Sequence, residues 1–280
     1  MTFKEICISL DNAGIQNSKN EALIIISYFC GLSQSNILSE KNKSYTEHRL
    51  IDAVKKRILH YPLQYILGEW DFYKETYKVN SNCLIPRSDT ELLVEKAIKL
   101  LPQNAHFLDL CTGSGCIAIS VLNQRQDCLA TAIDLFPETL ALAKENAQLN
   151  NVQNQINFFC GDVLKGSPPP QNIKFDAVLS NPPYIKTCDI ENLEKELKYE
   201  PLAALDGGLD GLAFYRAILK HYLTTLNEKG FLLLEHGAGQ GKDITEIAKE
   251  YSLTSKQFYD LSGNDRTCLL TRENNQHIIM

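Results

Sequence analysis

The stretch His106-Phe107-Leu108-Asp109-Leu110-Cys111-Thr112-Gly113-Ser114-Gly115 decides the fold of this chain. Its first half, 106–110, is a short apolar strand, and a helical pattern starts at Ile117. The two glycines allow a tight turn and a close approach of the backbone to a ligand. Strand, glycine loop and helix in this order predict a ligand-binding β-α unit.

Downstream of this unit, strand-like and helix-like segments alternate. Strands are expected over 128–133, 156–160, 175–180 and 231–234, and helices over 137–150, 212–226 and 244–251, with the helix over 212–226 expected to end near Gly230. Two further strands, 257–261 and 266–271, can pair with each other, and 166–170 is expected to be a loop. This alternation predicts an α/β fold with a doubly wound, mostly parallel sheet.

The preceding part of the chain has a helical pattern. Ser18-Lys19-Asn20-Glu21 and Ser44-Tyr45-Thr46-Glu47 both have the capping-box form and precede apolar helical runs. A strand-like segment, 70–79, follows these helices. We therefore expect a helical domain over 1–75, a hairpin linker over 76–90 and the α/β domain over 91–280.

Composition excludes several classes of protein. The 280 residues carry a formal net charge of −6, which argues against a broad grip on nucleic acid. The nine cysteines form no C-x-x-C pair, which predicts reduced thiols in a cytoplasmic protein without a metal site. No signal peptide is apparent, and the longest strongly apolar run, 22–30, is too short for a bilayer.

Acidic residues after the next two strands indicate a nucleoside cofactor. Asp134 ends the strand after the glycine loop, where a carboxylate can accept hydrogen bonds from both ribose hydroxyls. Asp162 follows the third strand and is placed to reach an adenine edge. The loop alone does not identify the cofactor, because Gly113-x-Gly115-x-x-Ala118 also has the form used by nicotinamide enzymes. S-adenosyl-L-methionine (SAM) and a nicotinamide dinucleotide both remain open at this point.

Asn181-Pro182-Pro183-Tyr184 distinguishes the two cofactors. It follows the strand-like segment 175–180, at the sheet edge where ligands bind in open α/β sheets. The prolines fix two φ angles and remove two donors, which leaves the Asn181 side-chain oxygen and the Pro182 carbonyl as rigid acceptors for a planar NH2 group. Tyr184 adds a flat face for a conjugated substrate. Hydride transfer has no evident need for this acceptor pair, so the stretch favours SAM and methylation of an amide or aromatic amine nitrogen.

The chemistry of such a transfer can be argued from the groups alone. An amide nitrogen is a poor nucleophile and a sulfonium methyl is reactive, so the enzyme mainly needs to align them. Two fixed acceptors stabilise the positive charge that develops on nitrogen before its proton departs. We therefore nominate no general base.

The chain resembles the peptide chain release factor N5-glutamine methyltransferase family over nearly its whole length. The segments that carry the resemblance are Tyr65 to Glu69, Leu84 to Glu91, Asp109 to Gly115, Ser180 to Tyr184, Tyr199 to Pro201, Leu234 to Gly237 and Asn264 to Arg266. The family usually has Pro at the position of Ser88 and often Gly at that of Cys111. We expect the first difference to loosen a loop and the second only to narrow the cofactor pocket.

The resemblance implies a class I SAM-dependent methyltransferase fold, with a Rossmann-like, mostly parallel seven-stranded sheet and a small N-terminal helical substrate-recognition domain. It implies that SAM binds Cys111, Thr112, Gly113, Ser114, Gly115, Asp134, Asp162, Val163 and Asn181. It assigns Asn181, Pro182, Pro183 and Tyr184 to catalysis, with the substrate amide on Asn181 and the Pro182 carbonyl. The implied partner is a class I release factor, methylated on the glutamine of its Gly-Gly-Gln motif, without stable binding of nucleic acid or a membrane.

Two other functions stay open on sequence grounds. Adenine-N6 methyltransferases share the N-P-P-Y motif, although the acidic balance and the lack of an inserted basic domain disfavour them. A noncatalytic SAM-binding protein is disfavoured by the intact motif.

Arg87, Asp89 and Glu91 fit either a cofactor lid or a solvated helix start. For His236 we favour packing over a catalytic base, and for 55–57 a solvated helix face.

Overall fold

The computed structural model of the protein describes residues 1–167, 169 and 173–278, so part of the loop expected over 166–170 lies outside the described residues. The chain forms two compact units. One comprises Met1–Glu69 with Leu193–Glu200, and the other Trp70–Asn192 with Pro201–Met280. The predicted division at 75 and 90 treats each part as continuous, whereas the helical unit includes a segment from far along the chain.

The helical unit is built from short helices around an apolar core. They are α1 (Phe3–Asn12), α2 (Ser18–Cys30), α3 (Gln34–Ser39), α4 (His48–Ile58) and α5 (Leu63–Leu67), with a 3-10 turn at Leu197–Tyr199. Ile6, Leu10, Ile25, Ile26 and Leu50 are fully buried. Burying these apolar side chains supplies the main driving force for the unit.

Both expected capping boxes are wrong. The residue that caps α2 is Asn17, in the left-handed region at φ 55°, and Ser18 donates to Asp11 Oδ1 at 2.5 Å. Helix α4 starts after Glu47 without a side-chain cap. A capping box is formed instead by Thr2 and Glu5 at the start of α1. The pattern alone misleads because Glu21 has a stronger partner elsewhere in the unit.

That partner is Arg57, which is only 2% exposed, so the expected solvated face over 55–57 is wrong at this residue. Its guanidinium donates to both Glu21 oxygens at 2.5 and 3.0 Å and to Glu196 Oε1 at 2.6 Å. Helical spacing explains the burial, because position 57 shares a face with buried Leu50 and Val54. The ion pairs therefore join α2, α4 and the segment 193–200 within this unit.

The second unit contains a hairpin and a sheet. The hairpin is formed by β1 (Glu69–Phe72) and β2 (Glu75–Lys78), so it precedes most of the predicted linker 76–90. The sheet contains, among the described residues, the seven strands β3 (His106–Leu110), β4 (Leu129–Asp134), β5 (Ile156–Cys160), β6 (Phe175–Ser180), β7 (Leu226–Glu235), β8 (Leu253–Tyr259) and β9 (Asp265–Arg272). Their order is β5-β4-β3-β6-β7-β9-β8, with β9 antiparallel to both neighbours. The predicted doubly wound, mostly parallel sheet is confirmed.

Helices cover both faces of this sheet. They are α6 (Thr90–Leu100), α7 (Cys116–Gln124), α8 (Pro137–Leu149), α9 (Ala213–Tyr222) and α10 (Gly241–Lys249). One apolar cluster joins the first three of these helices to the sheet, and a second joins α9 and α10 to its other face. No helix among the described residues is long and apolar enough to cross a membrane.

One expected helix boundary is wrong. The helix predicted over 212–226 ends at Tyr222, and β7 already starts at Leu226. Gly230, interpreted from the sequence as a helix stop, lies inside β7 where the pairing with β6 shifts register. A Cβ on Gly230 would lie 3.1 Å from Asn227 O and from two Leu226 side-chain atoms. A glycine is therefore needed because the strand is irregular and closely packed at this position. The sequence pattern does not distinguish this role from that of a helix end.

We predict that Arg57→Met destabilises the helical unit by about 3 kcal/mol, because Glu21 and Glu196 lose their shared cation. Urea denaturation followed by circular dichroism measures the change. Lys55→Met is the matched control: its side chain is 71% exposed, so its effect stays within about 0.5 kcal/mol. Equal effects of the two substitutions would contradict the role given to Arg57.

Candidate active site

The site lies where β3 and β6 run side by side in parallel. Leu110 pairs with Ser180 in this register, and the Ser180 hydroxyl donates to the Leu110 carbonyl at 2.6 Å. The chain turns away from β3 toward β4 and returns beyond β3 to form β6, so this is the topological switch point of the sheet. The glycine loop and the 181–184 stretch therefore leave the sheet beside each other.

A cavity of about 300 Å³ opens at this edge. Most of the predicted site residues line it: Cys111, Thr112, Gly113, Ser114, Asp134, Asp162, Val163, Asn181 and Pro183. Gly115, Pro182 and Tyr184 lie outside the lining. The structure thus brings together the proposed cofactor residues and the proposed acceptor asparagine in one space.

The glycine loop has the backbone that its sequence predicts. Gly113 and Gly115 have φ angles of 55° and 82°, in the left-handed region. A Cβ on Gly115 would lie 2.9 Å from Ile119 Cδ1, so this glycine allows α7 to start close to the loop. A Cβ on Gly113 would meet nothing within 4 Å, which leaves the cavity side of the loop open for a ligand.

Asp134 is positioned by the same loop. The Gly113 N–H donates to Asp134 Oδ2 at 2.9 Å, and the Phe136 N–H donates to Oδ1 at 3.3 Å. Burial raises the pKa of Asp134, and the hydrogen bonds from Gly113 and Phe136 oppose that increase. Each carboxylate oxygen keeps capacity for a further donor, which fits the two hydroxyls of a ribose.

Asp162 is bound within its own turn. Its Oδ1 accepts from the N–H groups of Leu164 at 3.0 Å and Lys165 at 3.3 Å, and Oδ2 pairs with Lys165 Nζ at 3.0 Å. Burial raises the pKa of Asp162, but these contacts outweigh it and the pKa is lowered. The carboxylate therefore holds the turn that places Val163 on the cavity wall, and its contact with adenine stays a prediction.

Asn146 on α8 is a residue that the sequence did not indicate. It is fully buried and donates to the carbonyls of Ser114 at 2.9 Å and Lys78 at 3.0 Å, while its oxygen accepts from Lys78 N at 2.7 Å. The cofactor loop is thereby joined to the hairpin. The Ser114 hydroxyl is buried without a hydrogen-bond partner among the described residues, and it lines the cavity. A polar ligand there would satisfy it.

Contacts with other parts of the α/β unit fix the backbone of residues 181–184. Pro182 and Pro183 are buried, and the Tyr184 carbonyl accepts from Gln240 Nε2 at 3.1 Å. A Cβ on Gly207 would lie 2.7 Å from Tyr184 Cα, and one on Gly211 would lie 2.5 Å from Tyr184 O. Tyr184 packs against the α9 and α10 face of the sheet, so its predicted stacking on the substrate stays a prediction.

The charged residues after the hairpin have mostly structural partners. Asp89 pairs with Arg266 at 3.2 Å, and Glu91 accepts from the Tyr73 N–H at 3.0 Å. Arg87 lines the cavity. His236 is fully buried and its Nε2 lies 3.0 Å from Gln257 Oε1, which agrees with the packing role favoured from the sequence.

Three further titratable groups near the cavity have raised pKa values. Burial raises the pKa of Tyr184 to about 12, that of Glu235 to about 8 and that of Asp109 to about 7. The Thr112 hydroxyl donates to Asp109 Oδ2 at 2.6 Å and opposes the increase there, and the Thr90 hydroxyl opposes it at Glu235. Within the described residues, no group of His, Cys, Asp and Glu side chains is arranged to hold a metal ion. The site offers dipoles and hydrogen bonds.

Comparison with known proteins assigns this architecture to a class. Residues 88–200 match the family model described as "Methyltransferase small domain", and residues 3–68 match "PrmC N-terminal domain". A methyltransferase from Pyrococcus furiosus has a similar solved structure, with a TM-score of 0.52, 19% identity and coverage of 69% of this chain and 86% of that chain. The fold and the site define a SAM-dependent methyltransferase, and SAM is its methyl donor.

The family is shown by full-length relatives. The release factor glutamine methyltransferase of Aquifex aeolicus is 34% identical over 91% of both chains. That of Thermodesulfovibrio yellowstonii is 37% identical over 90% of this chain and 92% of its own. The chain belongs to the release factor glutamine methyltransferase family, which confirms the resemblance found in the sequence. A nicotinamide enzyme is thereby excluded.

The backbone of Cys111 is strained, which its sequence does not reveal. Cys111 lines the cavity, but it also has a φ of 58°, where a side chain is strained. We predict that Cys111→Gly raises the free energy of unfolding by about 1 kcal/mol through relief of this strain. SAM affinity, measured by titration calorimetry, should change by less than about threefold, or about 0.6 kcal/mol.

Cys188→Gly is the control, because Cys188 is exposed and its φ is not positive. This substitution should lower stability by up to about 1 kcal/mol through the added freedom of the unfolded chain. The same direction of change in both variants would contradict backbone strain at Cys111.

The raised pKa values of two buried carboxyl groups predict how stability depends on pH. Between the ordinary carboxyl pKa and the raised pKa values, the unfolded chain has released protons that folded Asp109 and Glu235 retain. The free energy of unfolding should therefore fall as pH rises from about 5 to about 8. Carboxylates with lowered pKa values, such as Asp162, act in the opposite direction and at lower pH.

Urea denaturation at several pH values tests this prediction. Glu235→Gln should flatten the fall, because an amide has no proton to release in this range. The variant should gain stability relative to the wild type as pH rises. Parallel curves for the two proteins would show that Glu235 does not titrate with a raised pKa.

Proposed function

We propose that this enzyme transfers a methyl group from SAM to the side-chain amide nitrogen, N5, of the glutamine in the Gly-Gly-Gln motif of class I peptide chain release factors. The observation that carries the proposal is the position of Asn181 on the cavity that also contains the cofactor loop. Membership of the family supports the choice of substrate. The nine free cysteines support action in the reducing cytoplasm.

The cofactor half of the site fits SAM. Asp134 would hold the ribose hydroxyls, and Gly113 leaves open space beside the loop. The Ser114 hydroxyl has no hydrogen-bond partner among the described residues, so a polar group of the ligand would satisfy it. When bound, SAM supplies an electrophilic methyl group on a sulfonium centre. The chain has to present the amide nitrogen in line with that group and to exclude water from it.

Asn181 performs the presenting role. Its Nδ2 donates to Thr90 Oγ1 at 3.0 Å, and its Oδ1 has no donor among the described residues. An amide hydrogen of the substrate glutamine can therefore bind Oδ1, with the Pro182 carbonyl proposed for the other hydrogen. These acceptors favour the positive charge that develops on nitrogen, and the proton leaves after transfer. Tyr184 remains a neutral phenol, so we assign it no role as a base.

Methylation of adenine N6 in nucleic acid is the second candidate, because an exocyclic amine presents the same planar NH2 group. The acidic net charge of −6 disfavours a nucleic-acid substrate. The relatives named for release factors favour a protein amide. We therefore expect no stable nucleic-acid complex and no membrane association.

The direct test incubates the enzyme with radiolabelled SAM and either purified release factor or DNA and RNA. We expect label on the release factor, and mass spectrometry should find one added methyl group on the glutamine of its Gly-Gly-Gln motif. A release factor with asparagine at that position should remain unlabelled. Label on nucleic acid alone would reject the proposal and support the second candidate.

We predict that Asn181→Ala reduces methyl transfer by at least about a hundredfold, since the substrate amide loses a fixed acceptor. SAM affinity should stay within about threefold, or about 0.6 kcal/mol, by calorimetry. Asn227→Ala is the control, because Asn227 is also half-buried and hydrogen-bonded, to Asp176 at 2.7 Å, but lies near the start of β7. Loss of SAM binding along with transfer would assign Asn181 a structural role.

A further inference from the structure

The carboxamide of Asn181 has two ends with opposite hydrogen-bonding character. Its oxygen accepts and its NH2 group donates, and a half-turn about the last side-chain bond exchanges them. Only one orientation can receive an NH2 group of the substrate, because the other would place donors against donors. The proposed reaction therefore needs contacts that hold this side chain in one orientation.

Thr90 provides the first of these contacts. It is the first residue of α6 and is 2% exposed, and its Oγ1 accepts from Asn181 Nδ2 at 3.0 Å. A threonine hydroxyl can also donate one hydrogen, and if that hydrogen pointed at Asn181 the carboxamide would turn its oxygen toward Thr90. The orientation of Asn181 thus depends on where the Thr90 hydrogen goes.

Glu235 determines where it goes. This residue ends β7, against which α6 packs, and it is 1% exposed. The Thr90 hydroxyl opposes the increase that burial causes in the pKa of Glu235, and Glu235 Oε2 is buried without a partner among the described residues. This unsatisfied acceptor is where the Thr90 hydrogen can go. Glu235 does not line the cavity, whereas Thr90 and Asn181 do. An effect of this carboxyl group on the substrate can therefore pass through Thr90 and Asn181 without direct contact.

We propose that Thr90 and Glu235 are positioning residues, which lock the Asn181 carboxamide with its oxygen toward the substrate amide. Glu235 accepts the single hydroxyl hydrogen of Thr90, so Thr90 can only accept from Asn181, and the Asn181 oxygen is left facing the cavity. The inference rests on the proposed function and deepens it by naming the residues that orient its acceptor.

Glu235 retains an acceptor even in its neutral form. Asp89 opposes its ionisation, and Arg266 and Arg87 favour it, while burial dominates and holds the group neutral. A neutral carboxyl still has a carbonyl oxygen that accepts from Thr90. Glutamine at position 235 offers a similar carbonyl, whereas methionine offers a similar shape without one.

The experiment compares Thr90→Val, which removes the hydroxyl at nearly constant shape, with Thr90→Ser, which retains it. We expect Thr90→Val to lower kcat for release factor by about tenfold to a hundredfold, with KM and SAM affinity within about threefold. Thr90→Ser should restore kcat to within about threefold of the wild type. A Thr90→Val variant with wild-type kcat, or no rescue by serine, would overturn the proposal.

Glu235 is tested in the same assay. Glu235→Met should lower kcat nearly as far as Thr90→Val, and Glu235→Gln should stay close to the wild type. In the Thr90→Val background, Glu235→Met should have little further effect, because its route to Asn181 is already broken. If Glu235→Met lowered kcat as much in that background as in the wild type, the proposal that Glu235 acts through Thr90 would be overturned. If Glu235→Met does not fold, Glu235→Gln decides: a loss as large as that of Thr90→Val overturns the role of Glu235.

A signal that does not depend on turnover separates this inference from the proposed function. The side-chain NH2 resonance of Asn181, identified by its loss in Asn181→Ala, should shift and exchange faster with water in Thr90→Val but keep its position in Thr90→Ser. An unchanged resonance in Thr90→Val overturns the positioning role even if the wild type methylates release factor. A wild-type enzyme that fails to methylate release factor, with the resonance shifted as expected, refutes the proposed substrate and leaves the orientation of Asn181 supported.

Discussion

The parallel pairing of β3 with β6 is the constraint on which the site depends. The two strands end in register at Leu110 and Ser180, and a hydrogen bond of 2.6 Å joins their last residues. The cofactor loop and Asn181 leave from these two ends. A slip of one residue would move Asn181 by about 3.3 Å along β6 and turn its side chain to the other face of the sheet. In-line transfer does not tolerate an error of that size, so the register of two buried strands sets the geometry of the reaction.

Rigidity of the acceptor side has both a local and a tertiary source. Pro182 and Pro183 restrict their own φ angles, which the sequence already implies. Gly207 and Gly211 then allow the following loop to pack against Tyr184 so closely that a Cβ at either position would lie under 3 Å from the Tyr184 backbone. The asparagine therefore precedes a backbone segment that the prolines restrict locally and the packing of Gly207 and Gly211 restricts from outside. Only the rotation of its side chain needs further control.

The sequence predicts most of the sheet and the cavity lining, because these depend on local patterns. The strands 156–160 and 175–180 are confirmed at both ends, since each appears in the sequence as a short, mostly apolar run. Partners distant along the chain carry no such signal. Ser18-x-x-Glu21 has the form of a capping box, yet Glu21 binds Arg57. The contact of Thr90 with Asn181 likewise exists only after helix and sheet have packed, so the motif that contains Thr90 could be recognised while its role could not.

The raised pKa values of the buried acidic groups match the chemistry of the site. Methyl transfer from a sulfonium to an amide moves a positive charge and creates none, so the site needs oriented acceptors more than a full negative charge. A buried carboxylate beside the substrate would also attract the cation in the ground state and would gain little in the transition state. Burial reduces this attraction at Glu235 and Asp109 by raising both pKa values, and the phenol of Tyr184 is neutral for the same reason. What remains for catalysis is the direction of a few dipoles, and the orientation of one carboxamide then decides whether the substrate amide is held or repelled.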